Sequence, residues 1–170
     1  MKAELYWIEA PWPGRLAILP RPRGGDWLED EVRAWRQEGI NLVVSLLEKE
    51  EIAELDIAGE PAICKAQGIE YVSFPIADRG VPSSAAAMEE LVHGLEARLT
   101  EGTKIAVHCR AGIGRSALLA ACLLMSFGVD LDSAFERIHL ARGCPVPDTA
   151  EQRQWVARFA GDFLTTLPRK

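Results

Sequence analysis

Three short apolar runs, Ile40 to Leu47, Ile69 to Ile76 and Lys104 to His108, are separated by segments of helical periodicity. That order constrains the fold more than any other feature of the sequence. Runs of β-branched and aliphatic residues bounded by turn residues predict buried strands, and strands alternating with helices predict a parallel sheet with right-handed crossovers. The expected architecture is α/β: a single domain whose mostly parallel central sheet has about five strands and is flanked by helices. The carboxyl ends of such strands share one edge, where ligands bind. The loops that begin at Glu48, Ala77 and Cys109 open on that edge.

The remaining elements fit around this sheet. Ala3 to Glu9 and Leu16 to Leu19, separated by the turn Pro11 to Gly14, predict an edge hairpin. Asp26 opens a helical pattern through Trp27, Val32 and Trp35 that stops at Gly39. Ser45 and Glu48 have capping-box spacing ahead of the acidic stretch Glu48 to Glu54. Further helices are expected near Pro61 to Gln67, from Ser83 or Ser84 to near Gly102, and over Ser116 to Phe127, Leu131 to Arg142 and Thr149 to Leu167. The Ser116 helix is apolar nearly all round and should be buried.

With 170 residues, 48% hydrophobic and 26% charged, the chain fits one globular unit over residues 1–170 and no disordered, collagenous or coiled-coil class. A net charge of −6 argues against nucleic acid and anionic membranes as partners. The longest apolar run, Ala117 to Met125, falls far short of the roughly 20 residues a membrane span needs. Lys2 is followed by no apolar core of a secretory signal before Pro11 and Pro13, so a cytoplasmic monomer is expected. Cys64, Cys109, Cys122 and Cys144 show no Cys-x-x-Cys spacing, which argues against zinc and a disulfide framework and predicts free thiols.

The chemistry concentrates in His108-Cys109-Arg110-Ala111-Gly112-Ile113-Gly114-Arg115-Ser116, between an apolar strand and an apolar helix. At ordinary residue usage, a chance match to its His, Cys, two Gly, Arg and Ser is on the order of one in ten million per window. Gly112 and Gly114 let successive N–H groups turn inward and form an anion nest at the positive end of the next helix. Arg115 adds a planar fork that can hold two phosphate oxygens. The same groups favour the thiolate of Cys109 over the thiol. Cys122, inside the apolar helix, reads instead as a small hydrophobe.

This stretch resembles the signature loop of the protein tyrosine phosphatase superfamily: His-Cys, five residues, Arg, then Ser or Thr. Low-molecular-weight phosphatases and related arsenate reductases carry their cysteine near the N-terminus, and rhodanese-type loops are usually one residue shorter, so both fit worse. Phe74-Pro75-Ile76-Ala77-Asp78 and the short chain resemble compact dual-specificity and kinase-associated phosphatases, including small prokaryotic ones. The resemblance covers roughly Ile40 to Phe159. It implies phosphoester hydrolysis through a phosphocysteine, without metal or cofactor. The amides of Arg110, Ala111, Gly112, Ile113 and Gly114, with Arg115, would bind the phosphate oxyanion. His108 would brace the loop, and Ser116 would hydrogen-bond the sulfur and ease its departure.

A thiolate attacking phosphorus needs an acid to protonate the leaving oxygen. Asp78, just past a strand's carboxyl end, is the best placed, although Asp before Gly and Pro is also an ordinary turn former. Gln152 resembles the glutamine that positions the hydrolytic water in classical tyrosine phosphatases, and it equally has capping-box spacing with Thr149. Arg79 and Arg110 would add positive potential at the mouth. Apolar Ile113 stands where some lipid-directed relatives carry a second base, which favours phosphoproteins over phosphoinositides. The residues are compatible with strict phosphotyrosine specificity and with dual specificity, with turnover and with mere phosphate recognition, and with a segment Pro11 to Pro22 that lines the pocket or forms a solvated edge. They are likewise compatible with an inert Cys64 and with Cys64 as a redox partner of Cys109.

Overall fold

The structure is a computed structural model that describes residues 2–164. In chain order its strands are β1 (Tyr6–Ile8), β2 (Arg15–Leu19), β3 (Leu42–Ser45), β4 (Glu70–Ser73) and β5 (Lys104–His108). They form one five-stranded sheet in the order β1-β2-β5-β3-β4. β2, β5, β3 and β4 run parallel and only β1 is antiparallel, so the expected mostly parallel α/β sheet is what the chain forms. The register sets Leu19 and Ser45 on either side of His108, which aligns three strand ends on one edge.

Side chains alternate between the two faces because successive residues of a strand point in opposite directions. Leu16, Ile18, Leu42, Val44, Ile105 and Val107 enter one core, and Leu19, Val43 and Ala106 enter the other. Helices α1 (Leu28–Gln37) and α3 (Glu60–Ala66) cover the second core, with the short α2 (Lys49–Glu54) between them in sequence. Helices α4 (Ala85–Thr100), α5 (Arg115–Ser126), α6 (Leu131–Arg142) and α7 (Ala150–Phe159) supply the first. Every residue of α5 from Arg115 to Leu124 is buried, as its all-round apolar pattern requires.

Several local expectations are corrected. The β1–β2 hairpin is an edge only at β1, because β2 lies between β1 and β5. Its carboxyl end therefore delivers Pro20 to Arg23 to the functional edge, where the Arg21 amide donates to the Arg110 carbonyl at 3.1 Å. Ser45 does not cap a helix: it is the last residue of β3, and Glu48 takes the cap of α2, its amide bonded to the Glu51 carboxylate at 2.9 Å. Ser84, and not Ser83, caps α4 through the Ala87 amide. Beyond Phe159, α7 gives way to a π-helical turn, Ala160–Leu164, and the expected extension to Leu167 lies outside the described residues.

Candidate active site

β5 ends in His108, and alternation sends His108 and Cys109 to opposite faces. Cys109 joins the core beneath α5, while the His108 ring meets Trp35 of α1 at 6.2 Å on the other side. The loop then curls so that the Gly112 amide donates to Cys109 Sγ at 3.3 Å. Gly112 adopts φ +72, and a Cβ there would stand 2.5 Å from the carbonyl carbon of Leu19, so a side chain is excluded by conformation and by space. Gly114 caps α5, and a Cβ on it would run into the Asp148 carboxylate and lie 3.0 Å from Gln152 Nε2.

Arg115 begins α5 and is 2% exposed. Its guanidinium makes a bidentate pair with Glu51, 2.8 Å from Nη1 to Oε2 and 2.9 Å from Nη2 to Oε1. Nη1 also donates to the Ile76 carbonyl at 2.8 Å, and Nη2 to Asp78 Oδ1 at 3.1 Å. The fork is thus fixed by α2 from one side and by the Asp78 loop from the other. Burial works against the Glu51 charge, but hydrogen bonds from Arg115, the Glu48 amide and Arg110 outweigh it and hold the carboxyl at about 2. Burial likewise opposes the Arg115 charge, and Glu51 and then Cys109 outweigh it and raise the guanidinium pKa.

The loop is braced from below and from outside. His108 Nδ1 lies 3.4 Å from the Cys109 carbonyl, and Nε2 lies 2.6 Å from Glu60 Oε1, both side chains being fully buried. Arg142, the last residue of α6, donates to the carbonyls of Gly112 at 3.2 Å and Ala111 at 3.1 Å while its guanidinium sits 4.2 Å over the Tyr6 ring. Ser116 is buried on the first turn of α5, and its hydroxyl has no hydrogen-bond partner among the described residues.

The sequence-predicted residues fall into place unequally. Cys109, Arg110, Ala111, Gly112, Ile113, Gly114, Arg115 and Ser116 form one loop and helix start, with His108 beneath them, and Asp78 reaches Arg115. Gln152 is buried on the first turn of α7 and caps it with Thr149. The Arg110 side chain turns away to Glu51 and Glu54, each at 3.3 Å, so it does not lend the mouth the free charge expected of it. Cys64 belongs to the core on the other sheet face from Cys109, and burial followed by the Glu60 charge pushes its thiol up to about 12. Glu51, Glu60 and Arg142 were not singled out in the sequence. Glu51 is one of several glutamates in an acidic run, and nothing in the local pattern marks Glu60 or Arg142.

Comparison with known proteins agrees with this geometry. The model of the dual specificity phosphatase catalytic domain matches residues 31–158. Cyclin-dependent kinase inhibitor 3 of Sus scrofa is 33% identical over 102 residues, which is 59% of this chain and 48% of that protein. Dual specificity protein phosphatase 2 of Mus musculus is 34% identical over 79 residues, 46% of this chain and 25% of that one. The chain thus spans about half or less of the length of these two relatives. Among solved structures, a kinase associated phosphatase with its catalytic cysteine replaced by serine superposes with a TM-score of 0.87 at 21% identity, covering 98% of this chain and 99% of that one. Tk-PTP in its active form gives a TM-score of 0.73 at 26% identity, covering 98% and 100%. The chain belongs to the dual specificity phosphatase catalytic-domain family.

Proposed function

We propose that the chain is a phosphomonoester hydrolase that dephosphorylates phosphotyrosine in proteins through a phosphocysteine, with phosphoserine and phosphothreonine as the further substrates a peptide panel would test. The observation that carries this reading is the convergence of three groups of different chemistry. Cys109 Sγ accepts from the Gly112 amide at 3.3 Å, at the start of the loop that leads into α5. Arg115 is held rigidly at the start of α5. Asp78 touches Arg115 from the neighbouring loop. Recognition of phosphate alone would need neither a nucleophile nor an acid.

The Cys109 thiolate attacks phosphorus, the S–P bond forms, and the P–O bond to the leaving group breaks as Asp78 gives that oxygen its proton. The loop amides and Arg115 hold the remaining phosphate oxygens, a preorganised electrostatic contribution that costs no reorganisation during reaction. Water then attacks the phosphocysteine, Asp78 takes up the proton, and the P–S bond breaks to release phosphate and the thiolate. Ser116, with its unpartnered buried hydroxyl, is suited to donate to the departing sulfur. His108 positions the loop through the Cys109 carbonyl.

Phosphoprotein is favoured over a phosphoinositide headgroup because apolar Ile113 supplies no second base in the loop and the Arg110 side chain turns to Glu54 and Glu51. The four cysteines are all free, which suits the cytoplasm as the place of action. The test is leaving-group dependence. Asp78→Asn should lose about 10² to 10⁴-fold in kcat with phosphotyrosine peptide and far less with an activated aryl phosphate. Equal losses with both would remove Asp78 as the acid, and absence of turnover by the parent in EDTA would remove the hydrolase reading itself.

A further inference from the structure

The amide of Gln152 is spent on the loop that carries the acid. Its oxygen accepts from the backbone amides of Asp148 at 3.1 Å and Thr149 at 3.2 Å, which uses both of its lone pairs. Its nitrogen donates to the Gly80 carbonyl at 3.1 Å. The residue is fully buried, and its Nε2 lies against the backbone of Gly114 in the phosphate loop.

Gly80 is no ordinary loop residue. Its own amide donates to the Ala77 carbonyl at 2.7 Å, which closes a β-turn with Asp78 and Arg79 as the two central residues. Arg79 has φ +58, a conformation side-chain-bearing residues seldom adopt, so the turn is held against a local preference. Asp78 is half exposed, with 54% of its side chain accessible, and packing alone does not fix it. The turn is held from outside at two points: Arg115 at the Asp78 carboxylate and Gln152 at the Gly80 carbonyl. The Arg115 contact cannot persist unchanged when Arg115 holds a phosphate, whereas the Gln152 contact can.

We infer that Gln152 is a positioning residue for proton transfer: its Nε2 donor fixes the Ala77–Gly80 turn and so aims Asp78 at the leaving oxygen, and it does not orient the attacking water. An amide whose oxygen is saturated by two backbone donors has no acceptor left for that water. The inference rests on reading Asp78 as the general acid.

The two roles fall on different steps, and kinetics separates them. The ratio kcat/KM reports events up to cleavage of the P–O bond, while kcat also includes breakdown of the phosphocysteine. In the full chain, Gln152→Glu keeps the oxygen that caps α7 and removes the donor to Gly80. Its kcat/KM should fall about tenfold or more with phosphotyrosine peptide and hardly at all with difluoromethylumbelliferyl phosphate. Gln152→Ala should behave alike should the glutamate variant fold poorly, and Thr149→Ala, which weakens the cap alone, should lower Tm without steepening leaving-group dependence. In an Asp78→Asn background Gln152→Glu should add little, since both act on one proton.

Unchanged kcat/KM with a lowered kcat and a stoichiometric burst of phenol would make Gln152 the water holder and overturn the inference. A change in Tm with unaltered kinetics would reduce it to a helix cap and overturn it equally. If Asp78→Asn itself shows no leaving-group dependence, the acid assignment fails and takes this inference with it. If Asp78→Asn shows that dependence and Gln152→Glu does not, the inference alone fails.

Discussion

The loop from Cys109 to Arg115 is tied down from several elements. Cys109, Gly112, Gly114 and Arg115 are buried, the His108 carbonyl accepts from the Leu46 amide at 2.9 Å, and Arg21, Arg142 and Glu51 each reach it from a different element. The Ala77–Gly80 turn stands at the surface, with Asp78 and Arg79 exposed and a handful of hydrogen bonds to keep its shape. On the proposed mechanism the difference follows from what each must do. A pocket that binds a dianion works by fixed dipoles and must not relax around it. An acid has to meet leaving groups of various shapes at the rim, so it is hung from the surface and steadied at the backbone.

The comparison is broken most severely from the buried side. Cys109→Ser should abolish turnover while inorganic phosphate still binds, because the amide nest and Arg115 are untouched; calorimetric titration measures the binding. Appreciable hydrolysis by the purified variant would remove Cys109 as the nucleophile. Arg115→Lys should cost at least about a hundredfold in kcat/KM, since a point charge replaces a two-pronged donor.

Glu51→Gln tests whether that fork needs its partner. The carboxyl sits at about 2 in the folded chain against an ordinary 4.5. A depressed carboxylate stabilises the fold above its unfolded pKa, and that contribution is lost as pH falls from about 4.5 toward about 2. At neutral pH the variant should be less stable by about 3 kcal/mol. Denaturant melts of parent and variant should converge as pH drops through that window. A gap that stays constant with pH would mean that Glu51 acts by packing alone.

The place of the buried side was legible in the sequence, because the flanking apolar runs set the contiguous stretch from His108 to Ser116 at a sheet edge. That Asp78 lies on the same edge was legible from its position after a strand. What supports them was not. Glu51 shares its composition with Glu48, Glu50 and Glu54, and only its place as the third residue of α2 turns it inward. Glu60 meets His108 across 48 residues, and Arg142 meets Gly112 across 30, distances over which spacing says nothing. Ser45 was misread as a cap because hydroxyl spacing alone does not reveal that its backbone is paired with Ser73 in the sheet.

The smallest effect sharpens the exposed side. Arg79→Gly relieves a positive φ but adds unfolded-state freedom, so the net gain should be about 0.5 kcal/mol. Turnover of a small aryl phosphate should hold, as the guanidinium touches neither Cys109 nor Arg115 in the hydrogen bonds of the site. Thermal melts and steady-state rates check both, and a loss of stability would mean that the arginine makes contacts that outweigh the strain.

The buried Glu60–His108 pair links two layers through one ring. Glu60 opens α3, on the helix layer that covers the second core, and its carboxylate lies 2.6 Å from His108 Nε2 at the end of β5. The other ring nitrogen lies 3.4 Å from the Cys109 carbonyl. A single imidazole thus stands between the first turn of α3 and the backbone of Cys109, two places 48 residues or more apart in sequence. A change in how α3 seats on the sheet is therefore passed to the loop on the opposite face with no other side chain in between.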